Sequence, residues 1–224
     1  MKHHILGWLL LIIATVCSSC FEIVEEIQLQ ENGSGQFTFI VNMSESKVKL
    51  HSVMSLDSVQ GYKVPTKAEI NQQMSNIRQR LGNIQGLTNA QVSFDYNEFI
   101  GTVKFSFKSV DQINAAMSVI MDAYKVKDYS VPYYQYNATH RLFTRTFNTL
   151  PKTLAQYNRL KKEDRKIFQK ARFTSVFKFS SEVRESGNTL ARVSNNKKAV
   201  MQQTSMHNVI TNTTRINQSI TLEK

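Results

Sequence analysis

Few residues in this chain could do chemistry. There are two cysteines, Cys17 and Cys20, and five histidines, of which His51, His140 and His207 lie beyond the first twenty residues. Metal binding needs clustered His, Cys or carboxylate side chains, and none of these three histidines has such a neighbour at a known ligand spacing. Asp57, Asp95, Glu98, Asp111 and Asp164 could supply carboxylates for acid–base work, as a similar set could in any globular protein. Neither a phosphate-cradling glycine loop nor a nucleophile elbow occurs. A Ser-His-Asp triad is set by geometry and leaves no local trace, so a hydrolase with a dispersed site stands as one alternative. The sequence assigns no catalytic residue, metal ligand or cofactor.

Two other groupings suit binding. The run Arg159–Arg172 is the densest in charge. Read as one long helix behind Pro151, it places its apolar residues on one face and Arg159, Lys162, Lys166 and Lys170 broadly opposite. Such a face is either the solvated outside of a packed helix or a contact for an anionic surface, lipid headgroups or acidic glycan, where each cation contributes about 1 kcal/mol. Its aromatic residues fall at core positions and form no stacking platform, so nucleic acid is not expected as a partner. The stretch Tyr129–Tyr136 holds four of the eight tyrosines. Each tyrosine offers an apolar face and a polar tip, making Tyr133, Tyr134 and Tyr136 candidates for ligand or partner contact, or else a sheet edge packed on the core.

The N-terminus begins Met1-Lys2-His3-His4 and continues as a nearly unbroken apolar run, Ile5–Val16. As a helix that run is about 18 Å long at 1.5 Å per residue, too short for a bilayer core of roughly 30 Å. A basic start, a short apolar core and the small residues Ser18-Ser19 describe a secretory signal peptide over residues 1–19. Because Cys20 follows directly, the segment resembles the lipobox of bacterial lipoproteins, departing from the usual pattern in having Cys17 where an aliphatic residue is common. The resemblance implies cleavage before Cys20 and its acylation, which leaves no cysteine for catalysis. Phe21, where inner-membrane retention uses Asp, implies the outer membrane. Glu22, Glu25 and Glu26 resemble the surface-export signals of some lipoproteins. Two or more acyl chains give stable attachment. The alternative is a secreted protein cut at the same bond, which the Asn-X-Ser/Thr sequences at Asn32, Asn42, Asn137, Asn212 and Asn217 would suit.

The remaining residues, 20–224, must build the fold. Hydrophobic residues at 41% and charged residues at 20% exclude disorder. A formal charge of +11 favours anionic partners, and cleavage removes only Lys2 from that surplus. Alternation at Ile23–Leu29 and Phe37–Val41, around Glu31–Gly35, predicts a hairpin beside the anchor. Residues 44–56 read as a helix of moderate quality. Thr66 and Glu69 form a capping box opening a helix with Ile70, Met74, Ile77 and Leu81 on one face. A second hairpin is predicted over Gln91–Phe107, and a helix after Ser109 with Ile113, Ala116, Met117, Ile120 and Tyr124 inward. Tyr129–Phe147 is β-prone, and strands are predicted at Phe173–Phe179, Ala191–Ser194, Ala199–Gln203 and Ile216–Leu222. Hairpins dominate, so the expected class is α+β, with mostly antiparallel strands and three to four packed helices. A sub-domain boundary is placed near residues 128–132.

A strand pair beside the lipidated Cys through a turn like Asn32-Gly33-Ser34-Gly35, with late strands like Phe177-Lys178-Phe179 and Ala191-Arg192-Val193-Ser194, resembles LppM-type lipoprotein domains. That resemblance implies lipid handling in an envelope and carries over no site residue. The leading expectation is a non-enzymatic, membrane-anchored lipoprotein binding lipid, glycan or an envelope protein. An assembly subunit docking by a sheet edge is a further alternative.

Overall fold

The computed structural model describes residues 21–59, 61–123 and 132–223. The expected signal peptide, Cys20, Tyr124, Tyr129 and residues 128–131 of the suggested boundary lie outside the described residues.

The first hairpin forms as its alternation predicts. β1 (Glu22–Leu29) pairs antiparallel with β2 (Gly35–Asn42) in full register, Glu22 opposite Asn42 and Leu29 opposite Gly35. Gly33 has φ +83, the left-handed geometry a tight turn requires of glycine. A 3-10 turn at Ser44–Ser46 leads into α1 (Lys47–Val53), and β3 (Ser58–Val59) pairs with β4 (Tyr62–Lys63). α2 (Lys67–Gly82) starts at the predicted capping box: the Glu69 amide donates to Thr66 Oγ1, and the Thr66 amide donates to Glu69. The second hairpin is β5 (Leu87–Asp95) with β6 (Ile100–Phe107), followed by α3 (Asp111–Ala123). At the start of α3 only half of a capping box forms. The Ser109 amide donates to Gln112, while the Ser109 hydroxyl accepts from the Asp111 amide.

β7 (Tyr133–Asn137) and β8 (Leu142–Thr146) form a third hairpin. The long helix expected behind Pro151 is instead two, α4 (Pro151–Arg159) and α5 (Lys162–Lys170), because Leu160 and Lys161 are extended. Packing explains the break. Tyr157 and Phe168 have ring centroids 5.6 Å apart, whereas on one straight helix their positions would be separated by about 16 Å of rise. β9 (Arg172–Phe179), β10 (Val183–Ser186), β11 (Arg192–Val193), β12 (Ala199–Ser205), α6 (Met206–Thr211) and β13 (Gln218–Leu222) complete the chain. α6 begins where Ser205 Oγ accepts from the Asn208 amide and stops at Asn212, φ 55.

Two main sheets result: seven strands in the order β11-β12-β9-β1-β2-β6-β5, and four in the order β10-β13-β8-β7. All pairs are antiparallel except β1 with β9. The class is α+β. The sheets pack face to face, Phe143 of β8 on Phe177 of β9 and Tyr134 of β7 against Phe37 of β2, and α2 and α3 add Ile77, Leu81, Ile113 and Met117 to the same core. Asn114 of α3 binds the Tyr134 backbone twice, through N–H and C=O, and so covers the free edge of β7. A smaller cluster of Phe173, Val209 and Ile216, with Ile23, Phe147 and Met206 against it, closes one end.

Candidate functional site

That end holds the candidate site. On β1 the inward positions run Ile23, Glu25, Ile27, Leu29, so a carboxylate occupies a place the alternation reserves for apolar side chains. On β8 the inward positions are Phe143 and Arg145. The two charged residues meet across the sheets. Arg145 Nε donates to Glu25 Oε1 at 2.9 Å, Nη2 to Oε2 at 2.7 Å, and Nη1 to the Ile216 carbonyl at 3.0 Å. Both residues are 1% exposed. The guanidinium also lies over the rings of Phe173 and Phe147, at 5.3 and 5.7 Å. Burial opposes the charge on Arg145, but the Glu25 carboxylate outweighs it and holds the guanidinium pKa above its usual value.

Tyr134 lies beside this pair, fully buried, and its hydroxyl makes no hydrogen bond. Burial first, and then the negative charge of Glu25, keeps that hydroxyl protonated far above the usual phenol range. It is therefore a neutral donor held close to the Glu25 carboxylate and the Arg145 guanidinium without a well-formed hydrogen bond to either. A seam of polar side chains continues from the pair. Ser175 and Gln202 lie next to Glu25 across β9 and β12, and Gln218 Nε2 donates to Gln202 Oε1 at 2.8 Å.

Glu25, Arg145 and Tyr134, but not that seam, form the floor of a cavity of about 360 Å³, within the range of small-molecule sites. Its walls are apolar: Ile23 and Phe39 from the large sheet, Met117 and Met121 from α3, Phe173 from β9, and Met206, Val209 and Ile210 from α6. Thr149 and Thr153 approach from the start of α4. An apolar chamber with a buried, hydrogen-bonding floor can hold a hydrocarbon chain ending in an uncharged polar group. A second apolar cavity, about 500 Å³ between α1, α2 and β5, is lined by residues such as Leu50, Ile70, Met74 and Phe94. Among the described residues that line it, the ionised ones, Lys63 and Glu69, are a solvent-exposed pair.

The residues singled out in the sequence are only partly brought together. Strand alternation turns Tyr133 outward, 50% exposed, and Tyr134 and Tyr136 inward. Tyr134 reaches the cavity, while Tyr136 donates to the Glu31 carbonyl at 3.1 Å. Arg159 ends α4, and Lys162, Lys166 and Lys170 lie on α5, so the four do not share one helix face. Of the three acidic residues behind Cys20, Glu25 is inside the core, while Glu22 binds Thr174 and Glu26 binds Lys178. His51 packs on Phe99, His140 is exposed at a turn, and His207 Nδ1 is hydrogen-bonded to Tyr157 Oη at 2.7 Å. Among the described residues no group of three or more His, Cys, Asp or Glu is placed to hold a metal ion. Glu25 and Arg145 were not anticipated as a site, although charges at inward positions of alternating strands were a readable signal.

The fold and cavity define an α+β domain with a polar-floored chamber between its sheets. Among solved structures it is similar to the folded domain of the Mycobacterium tuberculosis LppM protein, determined by NMR, at 8% identity, over 92% of each chain, with a TM-score of 0.46. A likeness of that size assigns no function. No family model and no curated protein matches the chain. Among the described residues no helix is long and apolar enough to cross a membrane.

Proposed function

We propose that the chain is a lipoprotein anchored through Cys20 in the outer membrane, and that its domain is a non-enzymatic binder that takes an acyl-chain amphiphile into the cavity between the sheets. The observation that carries this reading is the pairing of apolar walls with a buried neutral hydroxyl, that of Tyr134, which makes no well-formed hydrogen bond beside the Glu25–Arg145 pair. Hydrocarbon in the chamber gains about 25 cal/mol per Å² removed from water. A hydroxyl, ester or amide at its end could accept from Tyr134. A free carboxylate would meet the negative Glu25 and gain little from an Arg145 already engaged.

Position supports the same reading. In sequence, Cys20 stands three residues before Ile23 of the cavity wall. Phe21, the next residue, packs its ring on Phe168 of the basic helix α5 at 6.0 Å. An anchor at Cys20 would therefore hold both the chamber and α5 close to the headgroups, where lysines favour anionic lipid.

Two measurements test this. Mass spectrometry of the mature N-terminus should find an acylated Cys20, and Cys20→Ser should release the protein from membranes. The Cys20→Ser protein should bind a fluorescent long-chain alcohol ester saturably and release it to unlabelled ester. An unmodified Cys20 would end the anchoring claim, and absence of saturable binding would end the cavity claim.

A further inference from the structure

A third concavity, separate from the chamber, lies between α4, α5 and α6. It is about 310 Å³, and its lining includes Tyr157, Lys162, Arg165, Lys166, Gln169 and His207. Its charge is one-sided. Lys162, Arg165 and Lys166 stand at i, i+3 and i+4 on α5, neighbours on one helix face, and among the described residues no carboxylate lines the space. Among the described residues none of the three forms an ion pair. Like charges spaced four apart destabilise a helix, so this arrangement carries a repulsion that a bound anion would relieve.

The wall opposite the cations is preorganised. The Tyr157 hydrogen bond occupies His207 Nδ1, which fixes the ring and leaves Nε2 as its other hydrogen-bonding atom. The same tyrosine ring packs on Phe168, so the break between α4 and α5 that brings Tyr157 to Phe168 also shapes the crevice. A planar guanidinium and two ammonium groups around one space suit an anion with three or more oxygens, with Arg165 able to bind two of them at once. A single carboxylate would leave most of that charge uncompensated.

We propose that this crevice binds a phosphate group, as a monoester or diester. The inference is independent of what fills the chamber between the sheets. Through the Phe168–Phe21 contact the crevice sits one helix away from the residue that follows Cys20, so a lipid phosphate and a free phosphate compound are both within its reach.

The test uses the full chain, extracted in uncharged detergent and titrated with inorganic phosphate at low ionic strength, with the His207 ring protons followed by NMR. A saturable shift is expected, which chloride at equal ionic strength does not reproduce. The double variant Lys162→Gln, Lys166→Gln should weaken it about 30-fold, since each cation near an anionic group contributes about fivefold. Removing two exposed cations elsewhere, Lys108→Gln with Arg192→Gln, should change it less than twofold. Flotation with phosphatidylglycerol vesicles then separates the sources: extra binding lost in the Lys162/Lys166 variant identifies lipid phosphate, and saturation without that gain identifies a free phosphate compound. A shift equal in chloride, or equal weakening in both double variants, would overturn the proposal.

Discussion

Glu25 and Arg145 carry the sharpest consequences of any two residues in the chain. Removing one partner leaves the other charge buried, so Glu25→Gln or Arg145→Met should each cost about 3–5 kcal/mol in urea unfolding. The double change Glu25→Leu, Arg145→Met should recover most of that loss, because a well-packed apolar pair avoids the desolvation. Tyr134→Phe should behave oppositely. Its hydroxyl makes no hydrogen bond, so stability should stay within about 1 kcal/mol of wild type, while affinity for a polar-ended amphiphile falls several-fold. The charged residues were visible in the sequence as breaks in the inward alternation of two strands. What was not visible is that they meet, because they lie 120 positions apart and pairing at that distance is decided by the whole topology.

At the scale of elements, the features that were legible are local ones. The hairpins at β1–β2 and β5–β6 follow from alternation, and the start of α2 follows from Thr66 and Glu69. The break between α4 and α5 had no such signal, since Leu160 and Lys161 are ordinary helix residues. Tertiary packing of Tyr157 on Phe168 and of Phe168 on Phe21 imposes it. Accordingly Phe168→Ala should loosen α5 and speed amide exchange across residues 162–170, while α2 exchanges as before. β10 was missed because Val183-Arg184-Glu185-Ser186 has no alternation, and the parallel β1–β9 pair because its partners are far apart in sequence. The α2 cap makes a pH prediction. Hydrogen bonds from Lys63, then from Thr66, lower the Glu69 pKa from 4.5 to about 2. A depressed carboxylate stabilises the fold above its unfolded value and loses that contribution as pH falls through the folded one. Protection of the first turn of α2 should therefore fade from about pH 4.5 to about pH 2. In Glu69→Gln that pH dependence should be absent.

In the whole molecule three features gather at one end: the start of β1, which follows Cys20 in sequence, the chamber between the sheets, and the basic crevice of α4–α6. Composition alone gave the positive surplus no location; the fold concentrates part of it on α5, beside the residue that follows Cys20. The chamber itself could not be read from sequence, because its walls come from both sheets and from α3 and α6. The most direct measurement is the content of organic-extractable amphiphile in purified wild-type protein and in Thr153→Trp, a change on the half-buried wall that fills the chamber while sparing the core. Near one acyl-chain molecule per wild-type protein is expected, with a clear loss in Thr153→Trp at an unchanged unfolding midpoint. Equal recovery from both proteins, or none from the wild type together with no uptake on exposure to amphiphile, would contradict it.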